Sequence, residues 1–268
     1  MLTPSADRDG GRRGARIRMA FQAASTLQAQ NIRADLERRY GHCEIDQGDV
    51  IVAIGGDGFM LACLHQHAQS GIPIYGVRTS PGGFLMNEME VDALREKVEN
   101  ATLEILNPLR MIATDVHGHR LEALAFNDVV VRRQSPRQAW LGIAVNGSIR
   151  LDHLTSDGIL LATPLGSTAY NLSAGGPVIP RQGRLLALTP ICAQRPRHWR
   201  GALLSCHATV SLRVRCPTER PVSVVAGQSE MSNVAEVDIR HDPDIRALIL
   251  VDRDQSLAER SLAEQFTV

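Results

Sequence analysis

The stretch Asp49-Val50-Ile51-Val52-Ala53-Ile54-Gly55-Gly56-Asp57-Gly58 decides the fold. Its first part is an unbroken apolar, largely β-branched run, which suits a strand buried on both faces of a parallel sheet. Its second part ends that strand sharply with glycines around one acid. Glycine lets the backbone take positive φ or approach a phosphate closely, and a helix after the turn offers its N-terminus to an anion. An acid among such N–H groups would repel phosphates unless it takes a proton or holds a metal. Asp57 can therefore serve as a general base toward an attacking hydroxyl in phosphoryl transfer. Taken alone, the turn is equally a tight strand-to-helix connection that Asp57 caps.

Working outward, the same texture repeats. Residues 17–23 read as a strand, and 25–40 as a helix with Leu27, Ile32 and Leu36 on one stripe. Residues 59–69 read as a helix, 73–77 as a buried strand and 91–100 as a further helix. Alternation of strand and helix predicts an α/β unit with a parallel sheet. After about Leu106 short β-branched runs take over, at 110–116, 124–132, 141–145, 158–163, 209–214, 222–225, 234–239 and 247–251. These predict a β-rich, sandwich-like second part. The expected organisation is a disordered tail over 1–15, an α/β nucleotide domain over 16–106 and a β-rich domain over 107–251. The segment 252–268 is expected to rejoin the first domain through a terminal helix, with Leu257, Leu262 and Phe266 at helical spacing.

Composition removes several classes of function. The chain has 29 basic and 29 acidic residues and a pI near 7.1, which argues against a sequence-blind nucleic-acid binder. Lys97 is the only lysine, and no glycine loop precedes it. Walker-type and protein-kinase lysine clamps are thereby excluded. Phosphate chemistry in this chain must use backbone N–H groups, arginine or a metal. The five cysteines are scattered, without a Cys-x-x-Cys pair, and suit a reducing cytoplasm. No run approaches the roughly 18 apolar residues of a membrane span, and the apolar stretch after Arg12-Arg13 is too short for a secretory signal.

A second segment completes the reading: Leu161-Ala162-Thr163-Pro164-Leu165-Gly166-Ser167-Thr168-Ala169-Tyr170-Asn171-Leu172-Ser173-Ala174-Gly175-Gly176-Pro177. Ten of these seventeen residues are Gly, Ala, Ser or Thr. Such a run packs poorly as a core but suits a backbone lying against a flat, polar ligand.

With these motifs, together with Phe126-Asn127-Asp128-Val129-Val130 and Asp157-Gly158 in that order, the chain resembles the NAD kinase family from about Ile17 to Phe266. The resemblance implies transfer of a phosphoryl group from ATP, or from polyphosphate, to the 2′-hydroxyl of the adenosine ribose of NAD. It implies Asp57 as base, with Gly55, Gly56 and Gly58 facing phosphates. Asn127 and Asp128 would hold ribose hydroxyls, and Phe84 would lie beside the adenine. Asp157, Thr168, Ala169, Tyr170 and Ser173 would line the adenine and nicotinamide ends. It further implies Mg²⁺ or another divalent cation arriving with ATP, no metal held by protein side chains, and a homodimer or homotetramer.

Two places depart from the family pattern. In Gly76-Val77-Arg78-Thr79-Ser80-Pro81-Gly82-Gly83-Phe84-Leu85, Arg78 stands for the usual asparagine and Ser80 for a glycine. Arg78 then reads either as a bidentate phosphate clamp or as a side chain that fills the site and blocks it, with the clamp preferred, and Gly82 as the residue that takes over the bend. In Val225-Ala226-Gly227-Gln228 no acid stands where the family commonly has one. A catalytically impaired nucleotide sensor is the alternative these departures allow. A lipid kinase with the same Gly-Gly-Asp-Gly turn is disfavoured by Phe59. His65, His67, His117 and His119 read as surface histidines, and Arg195-Pro196-Arg197-His198-Trp199-Arg200 as a solvated loop or subunit contact.

Overall fold

The computed structural model describes residues 16–266, so the tail expected over 1–15 lies outside the described residues. Along the first part run β1 (Met19–Ala23), α1 (Leu27–Tyr40), β2 (Val50–Gly55), α2 (Asp57–His67), β3 (Ile74–Arg78), α3 (Leu94–Asn100) and β4 (Thr102–Leu106). Strands then dominate: β5 (Leu109–Asp115), β6 (Arg120–Ala125), β7 (Asp128–Arg133), β8 (Ala139–Val145), β9 (Ser148–Ser156) and β10 (Gly158–Ala162). After the single turn α4 (Tyr170–Ser173) come β11 (Leu185–Ile191), β12 (Ala202–Ser205), β13 (Thr209–Val214), β14 (Val222–Ala226), β15 (Ser229–Met231) and β16 (Val234–His241). β17 (Ala247–Val251) and α5 (Leu257–Glu264) follow.

The strands form one five-stranded sheet, β1-β2-β3-β17-β4, and two six-stranded sheets, β12-β11-β10-β7-β14-β15 and β6-β5-β16-β13-β8-β9. The α/β-plus-β class read from the sequence is the class observed. In the first sheet β1, β2, β3 and β17 are parallel and β4 is antiparallel. All six residues of β2 are buried, and alternate side chains serve opposite faces. Ile51 and Ala53 pack with Met60, Cys63 and Leu64 of α2, while Val50, Val52 and Ile54 pack with Ala29 and Leu36 of α1. Full burial of each such aliphatic side chain contributes roughly 1.5–3 kcal/mol, enough to fix the strand between its two helices. Thr26 caps α1 through Oγ1, which accepts from the Ala29 N–H, and Ser256 caps α5 in the same way toward Glu259. The two antiparallel sheets share one core, with Val129, Ile159 and Val224 from one and Met111, Leu141 and Val237 from the other.

Three local expectations are corrected. Residues 247–251, read as the last run of the β-rich part, instead sit between β3 and β4. An apolar strand interior to a parallel sheet has the same composition as a sandwich strand, so composition cannot separate them. The run 124–132 is two strands in different sheets, broken at Phe126-Asn127. The terminal helix docks through Leu257, Arg260 and Ser261, whereas Leu262 and Phe266 are exposed.

Candidate active site

Asp57 is the first residue of α2, where the helix dipole favours a negative charge. Its carboxylate accepts from the Phe84 N–H at 2.6 Å through Oδ2 and from the Leu85 N–H at 2.8 Å through Oδ1. These donors come from the loop after β3, where Gly82 (φ +90°) and Gly83 (φ +109°) make the bend. Gly82 therefore takes the left-handed conformation that Ser80 would resist, as the sequence predicts. A Cβ on Gly83 would lie 3.2 Å from Asp57 Oδ1, and the φ of +109° further disfavours any side chain there, so glycine suits the loop's closure onto the carboxylate.

This carboxylate borders a hollow of about 420 Å³ lined by Phe84, Leu85, Asn127, Leu165, Thr168 and Ala169, among others. A smaller hollow of about 280 Å³ adjoins it, with Leu61 and Asn127 in both walls, and contains Gly58, His65, Asp128, Gly227 and Gln228. Asp128 has no side-chain hydrogen bond among the described contacts, and burial pushes its carboxyl up to about 6. A larger hollow of about 490 Å³ also borders residues 163–165 but contains none of Asp57, Asn127 and Asp128.

Of the residues expected in the site, Asp57, Gly58, Phe84, Asn127, Asp128, Thr168 and Ala169 line these two adjoining hollows. Gly55, Gly56, Arg78, Asp157, Tyr170 and Ser173 do not. Gly55 makes room for Phe59, whose Cβ would be 2.9 Å from an added Cβ. Gly56, by contrast, has nothing within 4 Å of that position. Arg78 pairs with Glu88 rather than standing free as a clamp. Asp157 is held by Arg133 Nε at 2.7 Å, beside the end of the β7–β10 ladder opposite Asp128. Four residues of strand separate those ends, about 13 Å. Tyr170 is 45% exposed, and Ser173 is exposed beside it.

The small-residue segment serves packing as well as the hollow. A Cβ on Gly166 would lie 2.1 Å from the Asn127 carbonyl oxygen, and Thr163 N–H and Oγ1–H donate to the Asn127 and Phe126 carbonyls. Close backbone contact therefore holds Asn127 at the break between β6 and β7. Ser167 is fully buried, donating to the Pro164 carbonyl and accepting from the Ile179 N–H.

His65, read from the sequence as a surface histidine, instead lines the smaller hollow. It is partly buried, meets Phe126 edge-on with ring centroids 5.1 Å apart, and burial lowers its pKa. Asp57, Leu61 and His65 recur every four residues, which puts them on one helix face, and that spacing was the available signal. His67 is likewise inward, with Nε2 3.1 Å from Gln22 Oε1, whereas His117 and His119 are exposed as expected.

A carboxylate in a glycine turn on a parallel sheet, facing walls supplied by an antiparallel sandwich, defines a phosphotransferase of the nucleotide-binding class. Comparison with known proteins narrows it. Residues 10–102 match the ATP-NAD kinase N-terminal domain, and residues 126–241 the ATP-NAD kinase C-terminal domain. The NAD kinase of Xylella fastidiosa is 47% identical over 249 residues, covering 93% of this chain and 96% of that protein. An NAD kinase from Archaeoglobus fulgidus solved in complex with ATP superposes with a TM-score of 0.75 at 22% identity, covering 94% of this chain and 100% of that one. Yeast NADH kinase complexed with NADH gives 0.81 at 17% identity, covering 95% and 88%. The chain belongs to the NAD kinase family.

Proposed function

We propose that the chain phosphorylates the 2′-hydroxyl of the adenosine ribose of NAD with ATP as donor, giving NADP, and that Asp57 is the residue that receives the hydroxyl proton. One observation supports the residue assignment: the Asp57 carboxylate, held by two backbone N–H groups, borders the hollow that Asn127, Thr168 and Ala169 also line. Each carboxylate oxygen keeps a lone pair for a ligand hydroxyl after accepting one N–H. Phosphoryl transfer passes through a loose transition state, so orienting the attacking oxygen matters as much as removing its proton. In this reading Asn127 and Asp128 hold ribose hydroxyls, Phe84 lies against the adenine, and Gly56 and Gly58 leave the phosphates room at the start of α2.

Among the described residues no group of three or more His, Cys, Asp or Glu is placed to hold a metal ion. In this proposal the divalent cation is Mg²⁺, which enters as part of the substrate, carried on the ATP phosphates. Tyr170 and Ser173, exposed and outside their own chain's cleft, support assembly as a homodimer or homotetramer that brings this turn to a neighbouring copy. All five cysteines are free, which supports a reducing, cytoplasmic setting. Among the described residues no helix is long and apolar enough to cross a membrane. The pairing of β17 supports a domain division near residue 107 and again just before Ala247.

The test is an assay of the purified chain with ATP, Mg²⁺ and NAD, read by an NADP-dependent dehydrogenase. NADP formation is expected. Its absence while calorimetry still shows NAD binding would overturn the proposal.

A further inference from the structure

Arg260 grips the loop that grips Asp57. From α5 its Nη1 donates to the Phe84 carbonyl at 2.7 Å and to the Met86 carbonyl at 2.9 Å, while Nη2 donates to Asn87 Oδ1 at 3.0 Å. The N–H groups of Phe84 and Leu85, in the same segment, end on the two oxygens of Asp57. Phe84 is thus held at both ends, by Arg260 through its carbonyl and by Asp57 through its N–H. Asn87 is fully buried, donates to the Leu250 carbonyl and accepts the Asp252 N–H. Asp252 in turn accepts from Tyr75 Oη–H at 2.5 Å and from Lys97 Nζ at 3.2 Å. The segment is therefore fixed to β3 and β17 on one side and to α5 on the other.

We propose that Arg260 is a positioning residue for phosphoryl transfer: it fixes residues 84–87 so that their N–H groups aim the Asp57 carboxylate at the acceptor hydroxyl. The proposal rests on the reading of Asp57 as the base. Three acceptors spread around one planar group match a guanidinium, and the point charge of a lysine would not serve all three. The placement is also costly. Burial works against the charged guanidinium, and the carboxylates of Asp252 and Asp57 act the other way. A long cation whose only use was to anchor a surface helix would extend its head into water. This one turns inward to main-chain oxygens that lead to the reacting group.

The experiment compares Arg260→Ala, Arg260→Lys and Asp57→Asn in the full chain. Arg260→Ala is expected to lower kcat by about 10- to 100-fold while KM for ATP stays within about 3-fold, as for a misaimed catalytic group. Amide exchange at Phe84 and Leu85 should quicken by about tenfold or more with β2 unchanged, the mark of local opening. Added guanidinium ion should restore part of kcat, and Arg260→Lys should fall between the two. Wild-type kcat and unchanged amide exchange at Phe84 and Leu85 in Arg260→Ala, with Asp57→Asn inactive, overturn this proposal and leave the Asp57 reading standing. If Asp57→Asn is as active as wild type, the base reading falls and the proposal with it. Should Arg260→Ala fail to fold, Arg260→Lys decides, and wild-type kcat and amide exchange in that variant overturn the proposal.

Discussion

The His65 imidazole fills the space that a side chain at position 227 would need. A Cβ on Gly227 would lie 2.5 Å from His65 Cε1 and 2.6 Å from Nε2, at a backbone φ of +58°. The place where the family commonly carries an acid is thus lined in this chain by a histidine from α2 and by Gln228. Gly227→Asp is expected to destabilise the chain by about 2–3 kcal/mol, through overpacking and the strained φ. Combining it with His65→Ala should recover at least about 0.5–1 kcal/mol of that loss, since the two positions touch. A urea-unfolding double-mutant cycle measures the coupling, and strictly additive effects would show that the imidazole yields freely.

Asp57→Asn keeps the size of the side chain but removes its capacity to take a proton. It is expected to lower kcat by about 100-fold or more, with NAD affinity by calorimetry within a few-fold. Retention of most of the kcat would reduce Asp57 to a helix cap.

Asp128 makes stability depend on pH. Its folded value of about 6 lies above the ordinary carboxylate range, so the fold favours its neutral form. The contribution is complete below about pH 4 and is lost as pH rises toward 6, on the order of 3 kcal/mol in all. Asp128→Asn should therefore match wild type at pH 4 and exceed its stability above pH 6 when no ligand is present. Equal unfolding midpoints at pH 7 would contradict this.

Two glycines separate ligand room from packing room. A Cβ on Gly58 meets nothing within 4 Å, and the residue is helical, so Gly58→Ala should hold or raise stability by up to about 1 kcal/mol. Because Gly58 lines the hollow beside Asp128, the same change should weaken NAD binding. Gly166→Ala meets the Asn127 backbone and should cost about 3 kcal/mol or more, lowering Tm by roughly 6–12 °C. Calorimetry of both variants with and without NAD checks the contrast.

The sequence was most legible where one physical pattern acted alone. β2 is a buried run ended by glycines, and both its position and the acid after it follow from that. The break at Phe126-Asn127 has no glycine or proline to announce it, since hydrogen bonds from Thr163 and the bare face of Gly166 impose it. β11 contains Pro190, and β9 is largely exposed and polar along its first half, so neither presents the apolar run that marks a strand. Arg260 was hidden for a different reason. A helix read by its apolar stripe gives no weight to a cation that turns inward, and the exposed Leu262 and Phe266 drew the reading to the wrong face.

β17 lies in the interior of the first sheet, yet it is made only after the whole sandwich. During translation β3 and β4 therefore wait with unpaired edges while the next twelve strands emerge. Exposed strand edges invite wrong partners, and pairings distant in sequence form slowly. The loop that aims Asp57 gains its supports from Leu250 with that strand and from Asp252 and Arg260 after it. A nascent or truncated chain that already carries the complete glycine-aspartate turn thus lacks the supports that set its geometry, and competence arrives only once the chain through Arg260 has been made.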